Sequence, residues 1–242
     1  MKILTLNVWR YYEWDKRKEE LIRFLNEQKA DLILLQEVAL DSRQTGNWKN
    51  QADEINKDLK YIGCSYEKME KMQKWHGKPI DWDMWYGFGI LSKWKIKSQE
   101  IILLNGVEKD KKFGFMHAKI ACPDGDIDVI NVHFENTTKG AKEHLRQTLE
   151  WCKERNMHPI IAGDFNMKVT EDVIELAQNE YYISYLITKY FSFMPTEFSH
   201  DKVPITLDYI IANKKKFIMD KVECAKTASS DHKPVIATIK LI

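Results

Sequence analysis

The sequence predicts a mixed α/β protein in which two β-sheets meet face to face with helices outside them. Three observations lead there. First, six scattered segments each end an apolar run on a residue able to hold a divalent metal or move a proton. They are Ile3-Leu4-Thr5-Leu6-Asn7, Leu32-Ile33-Leu34-Leu35-Gln36-Glu37, Val129-Ile130-Asn131-Val132-His133, Ile160-Ile161-Ala162-Gly163-Asp164-Phe165-Asn166, Thr206-Leu207-Asp208-Tyr209-Ile210-Ile211 and Ser229-Ser230-Asp231-His232-Lys233-Pro234-Val235. Apolar runs of this length read as buried strands, with the polar group at the rim of the sheet. Second, one plan occurs twice: Asn7, a helix and Gln36-Glu37; then His133, a helix and Asp164-Phe165-Asn166. Third, many β-runs follow one another without helices between them, and no Gly-x-Gly-x-x-Gly occurs. Those two features argue against a dinucleotide-binding sheet.

Taken in order, a strand over Lys2–Val8 leads to a helix over Lys16–Lys29, with Leu21, Ile22, Phe24, Leu25 and Ala30 on its inner side and Asp15 as N-cap. A strand follows at Asp31–Gln36, then a helix near Asn50–Leu59 that turns Ala52, Ile55 and Leu59 inward. The middle of the chain is β: Tyr61–Glu67, Gly87–Ser92, Lys95–Leu104, Phe113–Ala121 and Ile127–His133. Ala141, Leu145, Leu149 and Cys152 recur at helical spacing within a helix over Gly140–Arg155. A strand at Pro159–Ala162 precedes helical stretches near Thr170–Gln178 and Glu180–Tyr190, and three strands, Leu207–Ala212, Phe217–Cys224 and Val235–Leu241, close the chain. No linker, low-complexity tract or block of like charge divides the 242 residues, so one domain is expected.

Bulk properties narrow the function classes. A formal net charge of +1 provides no global field toward a polyanion, although a local basic cleft remains compatible with it. Cys64, Cys122, Cys152 and Cys224 are too dispersed for a zinc site or a disulfide framework; with Cys152 on the apolar stripe of a helix and Cys122 at a strand end, buried free thiols are the plain reading. The first strand begins at Lys2 or Ile3, leaving no room for a signal peptide, and no apolar run approaches the roughly 20 residues that span a bilayer. A soluble, cytoplasmic, monomeric protein with no membrane span is expected.

The strand-end residues suit hydrolysis of a phosphate ester. That reaction needs charge neutralised on the phosphoryl oxygens, water prepared for in-line attack and a stabilised leaving oxygen. Magnesium prefers oxygen ligands and takes few protein carboxylates, a role that fits Glu37, with Asn7 supplying or orienting a neighbouring oxygen and Asp231 as a second carboxylate. Asp164 can orient or deprotonate the water, while Asn166, two residues on, donates to phosphate and Phe165 packs away. His232 as an imidazolium can stabilise growing negative charge if an anion holds its other nitrogen, and Asp208 is the candidate. His133 is a further donor to phosphate or leaving group. Taken singly, each has a plainer explanation as a cap, turn or core residue. Asp208 inside an apolar strand is the least easily explained, because a buried carboxylate needs a partner.

With these residues in hand, the chain resembles the endonuclease/exonuclease/phosphatase superfamily. The similarity rests on Leu-Gln-Glu at 35–37, Gly-x-Gly-Ile-Leu-Ser at 87–92, Asn-Val-His at 131–133, Gly-Asp-Phe-Asn at 163–166, Leu-Asp-Tyr-Ile at 207–210 and Ser-Asp-His at 230–232, in the family's order. It implies a DNase I-like, four-layered α-β-β-α sandwich of two mainly antiparallel sheets, and hydrolysis assisted by magnesium or manganese. By the same resemblance Glu37 is the principal metal ligand, Asp164 and Asn166 act at water and phosphate, and Asp208 holds His232.

The branch is less determined, since a fold does not give a substrate. Inositol-phosphate 5-phosphatases carry Pro-Ala-Trp-Cys-Asp-Arg near the place where this chain reads Ile205-Thr206-Leu207-Asp208-Tyr209-Ile210. Secreted sphingomyelinases share the Asn-x-His and Leu-Asp-Tyr elements, against which stands the lack of room for a signal peptide. Abasic-site endonucleases usually have a different residue in place of His133. His133-Phe134-Glu135-Asn136 before an amphipathic helix is similar to the tyrosyl-DNA phosphodiesterase pattern.

Two stretches mix aromatic and basic side chains: Trp9-Arg10-Tyr11-Tyr12, and Met69–Trp85 with Lys71, Lys74, Trp75, His76, Lys78, Trp82 and Trp85. Aromatic faces stack bases while cations track phosphates, so Trp9, Arg10, Trp75 and Lys233 are candidate substrate contacts and nucleic acid a candidate partner. Asp81 and Asp83 dilute that field, and tryptophans also pack under long loops. Lys139, Lys142 and Arg146 can either approach phosphate or form a solvated helix face. The expected function is a magnesium-dependent phosphodiesterase or nuclease. A phosphomonoesterase or lipid-head-group hydrolase is the second candidate, and a non-catalytic binding module on the same fold the third.

Overall fold

The computed structural model describes residues 1–43, 50–75, 78–107, 111–168, 175–196, 202–226 and 229–242, with the side chain of Trp75 outside that description. The strands are β1 (Lys2–Asn7), β2 (Leu32–Asp41), β3 (Gly63–Lys71), β4 (Lys74–Trp75), β5 (Lys78–Pro79), β6 (Met84–Ser92), β7 (Ile96–Leu104), β8 (Phe113–Cys122), β9 (Gly125–His133), β10 (Ile160–Asp164), β11 (Tyr181–Ile183), β12 (Asp208–Asn213), β13 (Phe217–Cys224) and β14 (Val235–Leu241). The helices are α1 (Trp14–Gln28), α2 (Gln51–Leu59), α3 (Thr138–Glu154) and a short α4 (Ser184–Ile187).

Ten of the larger strands and two shorter ones build two six-stranded sheets, ordered β13-β14-β1-β2-β6-β3 and β11-β12-β10-β9-β8-β7. Each has one parallel pair, β1 with β2 and β10 with β9, among antiparallel neighbours. The parallel pairs require crossover connections, which α1 and α3 provide. Alternation along the apolar strands explains the layering. Ile3, Leu32 and Leu34 join Met116, Val129, Ile160 and Ala162 in a core between the sheets. Leu4, Ile33 and Leu35 point the other way, against Leu21 and Leu25 of α1 and Ile55 of α2. On the far side Ile130 and Ile161 meet Leu145 and Cys152 of α3. Both faces of the central strands are therefore covered, giving the α-β-β-α sandwich of the DNase I-like fold.

Several elements depart from expectation. The N-cap position of α1 is Glu13, not Asp15, and no side chain caps it. Asp15 instead pairs with Lys18 at 2.9 Å. The helix starts earlier because Trp14 is buried and its indole Nε1 donates to Glu54 Oε2 at 2.7 Å. Strand β2 runs five residues beyond Gln36, through an irregularity between Leu35 and Val38. Within Glu180–Tyr190 the chain first forms β11, paired with β12, before the single turn of α4. Tyr181 and Ile183 are buried on alternate positions, the pattern of an edge strand rather than of a helix. Of the stretch near Thr170–Gln178, residues 169–174 lie outside the described residues, and residues 175–177 are helical. The Met69–Trp85 stretch is mostly β: the ends of β3 and β6 with the β4–β5 hairpin between them, His76 lying outside the described residues. None of the described helices is long and apolar enough to cross a membrane.

Candidate active site

The polar strand ends converge at one end of the sandwich, where they border a cavity of about 1000 Å³. Asn7, Glu37, His133, Asp164, Asn166, Asp231 and His232 all line it. Asp208 is fully buried behind His232. Trp9 and Arg10 reach the cavity, whereas Lys233 is not among its lining residues and the Trp75 side chain lies outside the described residues.

Asp164 sits at the centre. Its register partner across β9 is His133 and across β12 is Asp208, so three functional side chains share one rung of the second sheet. The preceding Gly163 has φ +149°, and a Cβ there would lie 2.0 Å from the Val132 carbonyl oxygen. Only glycine admits that close approach of β9 and β10. Asp164 Oδ1 accepts the Asn166 backbone N–H at 2.9 Å. Its Oδ2 accepts from Asn7 Nδ2 at 3.2 Å and lies 3.7 Å from both His133 Nε2 and His232 Nε2. Phe165 turns into the core against Phe134 and Tyr209. Asn166, in the left-handed region at φ 48°, commits one amide hydrogen to the Phe134 carbonyl at 2.8 Å.

Glu37 arrives differently. Between the pairs Leu35–Gly89 and Val38–Gly87, two residues of β2 oppose the single Phe88 of β6, a β-bulge. Glu37 takes φ 53° there and its carboxylate enters the cavity. Behind it the fully buried Gln36 and Asn131 tie the sheets together. Asn131 Nδ2 donates to the Leu35 and Gly89 carbonyls at 2.9 and 3.0 Å, and Gln36 Nε2 donates to Asn131 Oδ1 at 2.6 Å. In front, Arg10 grips both Glu37 oxygens, Nε to Oε2 at 2.7 Å and Nη2 to Oε1 at 3.2 Å. Burial pushes this carboxyl up, but Arg10 and His133 pull harder and bring it to about 2. Arg10 was expected as a substrate contact; its guanidinium is engaged with Glu37 and lies 5.0 Å from the Tyr86 ring centre.

His232 Nδ1 and Asp208 Oδ2 are 2.8 Å apart, and the Phe193 ring packs edge-on to the imidazole at 5.1 Å. Burial opposes a charge on His232, yet Asp208 and Asp164 hold its pKa well above the ordinary imidazole range. Burial and the Asp208 carboxylate raise Asp164, against the pull of both imidazoles. Asp231 is pushed up to about 6 by burial, with Glu37 and Asp164 adding repulsion.

Asp164, Asp208 and His232 form a buried cluster whose ligand atoms all lie within 4.8 Å of one another. Because His232 Nδ1 and Asp208 Oδ2 satisfy each other, that trio reads as an acid–imidazole pair beside a second acid rather than as a closed metal cage. The oxygen donors that a hard divalent cation would take are instead those of Glu37, Asp231 and the Asn7 amide, which all line the cavity. The two carboxylates repel each other, and a cation there would take over Glu37 oxygens that Arg10 now holds and the Asn7 Oδ1 that now accepts the Trp9 N–H.

The rim has a different character. Lys74, Lys111, Lys112 and Lys168 bring positive charge to it, the charge of Arg10 being paired with Glu37, while Met69, Met72, Tyr86 and Phe88 supply an apolar wall. Lys139, Lys142 and Arg146 do not line the cavity, and Arg146 is engaged with Glu143 and Glu150 at 2.5 Å each on the exposed face of α3. Sequence reasoning missed Phe193 and the two lysines before Phe113, because no local pattern links those loops to the strand ends. It also passed over Arg17, whose position on α1 looks like a solvated one but whose side chain is buried.

The family model described as "Endonuclease/Exonuclease/phosphatase family" matches residues 4–232. No curated protein matches the chain. Among solved structures, an endonuclease/exonuclease/phosphatase family protein from Leptotrichia buccalis is similar over 99% of both chains, with TM-score 0.76 and 19% identity. D. rerio TDP2 complexed with single strand DNA product is similar over 99% of this chain and 98% of that one, with TM-score 0.69 and 17% identity. Sphingomyelinase C from Streptomyces griseocarneus is similar over 98% of each chain, with TM-score 0.66 and 17% identity. At these identities the likeness is one of fold.

Proposed function

Because the chain belongs to the endonuclease/exonuclease/phosphatase family, we propose that it is a divalent-metal-dependent phosphodiesterase, with a nucleic-acid strand as its favoured substrate class. The observation that carries this is the surrounding of Asp164 Oδ2: two imidazole nitrogens at 3.7 Å and the Asn7 amide at 3.2 Å, at the floor of an open cavity. A general base needs that arrangement, an aimed oxygen among donors able to take up the charge of an adjacent phosphoryl group.

In this proposal Asp164 orients water and accepts its proton, helped by burial that raises its proton affinity. His232, charged and held by Asp208, donates from Nε2 to a phosphoryl oxygen on which charge accumulates. His133, across the rung from Asp164, donates toward phosphate or the leaving oxygen. Magnesium or manganese at Glu37, Asn7 and Asp231 would supply charge neutralisation on the phosphoryl oxygens. Two features support a large substrate. The cavity, about 1000 Å³, far exceeds the needs of one phosphate group, and its rim combines cations with aromatic and thioether surface. The D. rerio TDP2 structure, complexed with single strand DNA product, has the same fold and supports a strand as ligand.

The test is a panel of bis-p-nitrophenyl phosphate, p-nitrophenyl phosphate, single- and double-stranded DNA, RNA and sphingomyelin, each with magnesium and with EDTA. Turnover of a diester that EDTA abolishes and magnesium restores is the expected result. Asp164→Asn should lower that turnover by about 10²–10⁴-fold, the range for a general base, with an unchanged circular dichroism spectrum. Preference for the monoester or for sphingomyelin would replace the substrate class, and full activity in Asp164→Asn would remove the carboxylate from its role.

A further inference from the structure

We propose that Arg17, a buried residue of the first turn of α1, is a positioning residue that locks the segment after β1 to the segment carrying Asp231 and His232. Its side chain is 7% exposed, and every hydrogen bond it makes goes to backbone carbonyls. Nε donates to Tyr12 O at 2.6 Å; Nη1 donates to Val8 O at 3.2 Å and also to Ser229 O; Nη2 reaches Val8, Trp9 and Arg10 O at 3.2–3.3 Å. Four of these acceptors lie within residues 8–12 and the fifth lies 212 positions from Arg17. One guanidinium thus joins the first and last site-bearing segments of the chain.

The segment it holds does not hold itself. Trp9, Arg10 and Glu13 have φ of 57°, 47° and 44°, left-handed values at three non-glycine residues. Such conformations persist where surrounding structure over-determines them. Successive carbonyls turned inward by this backbone need donors, and a planar fork with five N–H groups can serve several at once. An ammonium with three donors cannot reproduce the spread. Downstream of these carbonyls are the groups that matter. Arg10 holds both oxygens of Glu37, and Ser230, next to the captured Ser229, donates its Oγ to the Asn7 carbonyl at 2.7 Å. Arg17 does not itself line the cavity and bonds none of the reacting groups; it touches the lining residues Trp9, Arg10 and Tyr12 through their carbonyls, so its effect runs through the placement of Arg10, Asn7 and Asp231.

The activity part of the test rests on the phosphodiesterase proposal, and the exchange part stands without it. In Arg17→Lys, kcat on the best diester of the panel should fall by about 10²-fold, the loss expected from misplacing groups by about 1 Å, with KM changed far less. Arg17→Ala should fall at least as far, and added guanidinium ion should restore part of its activity. Hydrogen exchange should quicken together in residues 8–13 and 229–233, while residues 18–28 keep their wild-type protection. Loosening of one segment alone, or wild-type kcat in both variants, would overturn the proposal. So would losses that track only the unfolding midpoint and do not respond to guanidinium. Should Arg17→Ala fail to fold, Arg17→Lys decides by the same two readouts. If wild type turns over nothing in the panel, the phosphodiesterase proposal fails, and the paired exchange still upholds or rejects the lock.

Discussion

The units β1–α1–β2 and β9–α3–β10 have the same plan and opposite ways of presenting chemistry. Each lies at the centre of a sheet, with five parallel rungs ending at Asn7–Gln36 in one and His133–Asp164 in the other. In the second unit the last rung is itself functional: regular pairing puts His133 and Asp164 side by side at the cavity. In the first, the residue at the place of Asp164 is Gln36, which points into the seam between the sheets, and Glu37 reaches the cavity one residue later, through a bulge. Ladder register fixes a strand end at no further cost, whereas a bulge with φ 53° must be stabilised from outside. The difference extends to the helices, each of which reaches back to the loop after its strand with one buried side chain. Arg17 donates to four carbonyls there and to a fifth, that of Ser229, outside the loop; His144 accepts one N–H, from Glu135, at 3.2 Å.

The largest expected effect concerns the regular half. Asp208, the first residue of β12, and His232, in the segment before β14, act as one unit, so Asp208→Asn and His232→Ala should each lower kcat by about 10²–10⁴-fold. The double variant should be hardly worse than either single one. Multiplicative losses in that cycle would mean that Asp208 does not work through the imidazole. Both variants are expected to leave the first unit intact, which hydrogen exchange over residues 8–13 would verify.

A smaller effect is expected at the bulge. Asn131→Leu removes two donors to the Leu35 and Gly89 carbonyls and the acceptor of Gln36, all fully buried. Leaving a buried polar group unpaired costs about 1–3 kcal/mol, so the urea midpoint should fall and Glu37 should lose its support, lowering kcat about tenfold. Gln36→Leu added to it should cost less than its separate effect, since removing both partners of a bond is milder than removing one. Additive costs, with wild-type kcat throughout, would show the bulge to be self-supporting and the contrast between the two units to be superficial.

Legibility in the sequence followed the same division. Apolar runs that end in Asp164 and His133, and the one that Asp208 opens, are local patterns that translate directly into register, and these strands lie where periodicity placed them. Glu37 was also legible as a strand end, but not the bulge that aims it, since β2 continues for four residues beyond Glu37. Arg17 and the Gln36–Asn131 bridge carry no local signal: the partners of Arg17 are 5 to 212 positions away, and those of the bridge, apart from the Leu34 carbonyl two residues from Gln36, are 31 to 96 positions away. Asp15 satisfied the usual N-cap pattern, yet burial of Trp14 moved the helix start ahead of it. Tyr181–Ile183 became strand because β12 offers an edge, which is tertiary information.

The smallest effect sharpens the contrast between the two buried helix residues. His144 is fully buried and its Nδ1 accepts the Glu135 N–H, an arrangement that needs a neutral ring. Burial lowers its pKa in spite of Glu135 and Glu143, so the folded protein resists a proton that the unfolded chain takes up below about pH 6.5. Its contribution to stability is therefore complete above that pH and declines as the pH falls toward the depressed folded value. Arg17 has no such dependence near neutrality, because its guanidinium, lowered by burial to about 10, stays charged. A His144→Gln variant keeps an acceptor but no titration. The gap in unfolding free energy between wild type and variant, read from urea melts, should shrink from pH 7.5 to pH 5.5, by at most about 1.4 kcal/mol per pH unit, with kcat little changed. A gap that stays constant would mean that His144 takes up its proton equally in the folded and unfolded chain, and that the second unit, like the first, tolerates a charge beneath its helix.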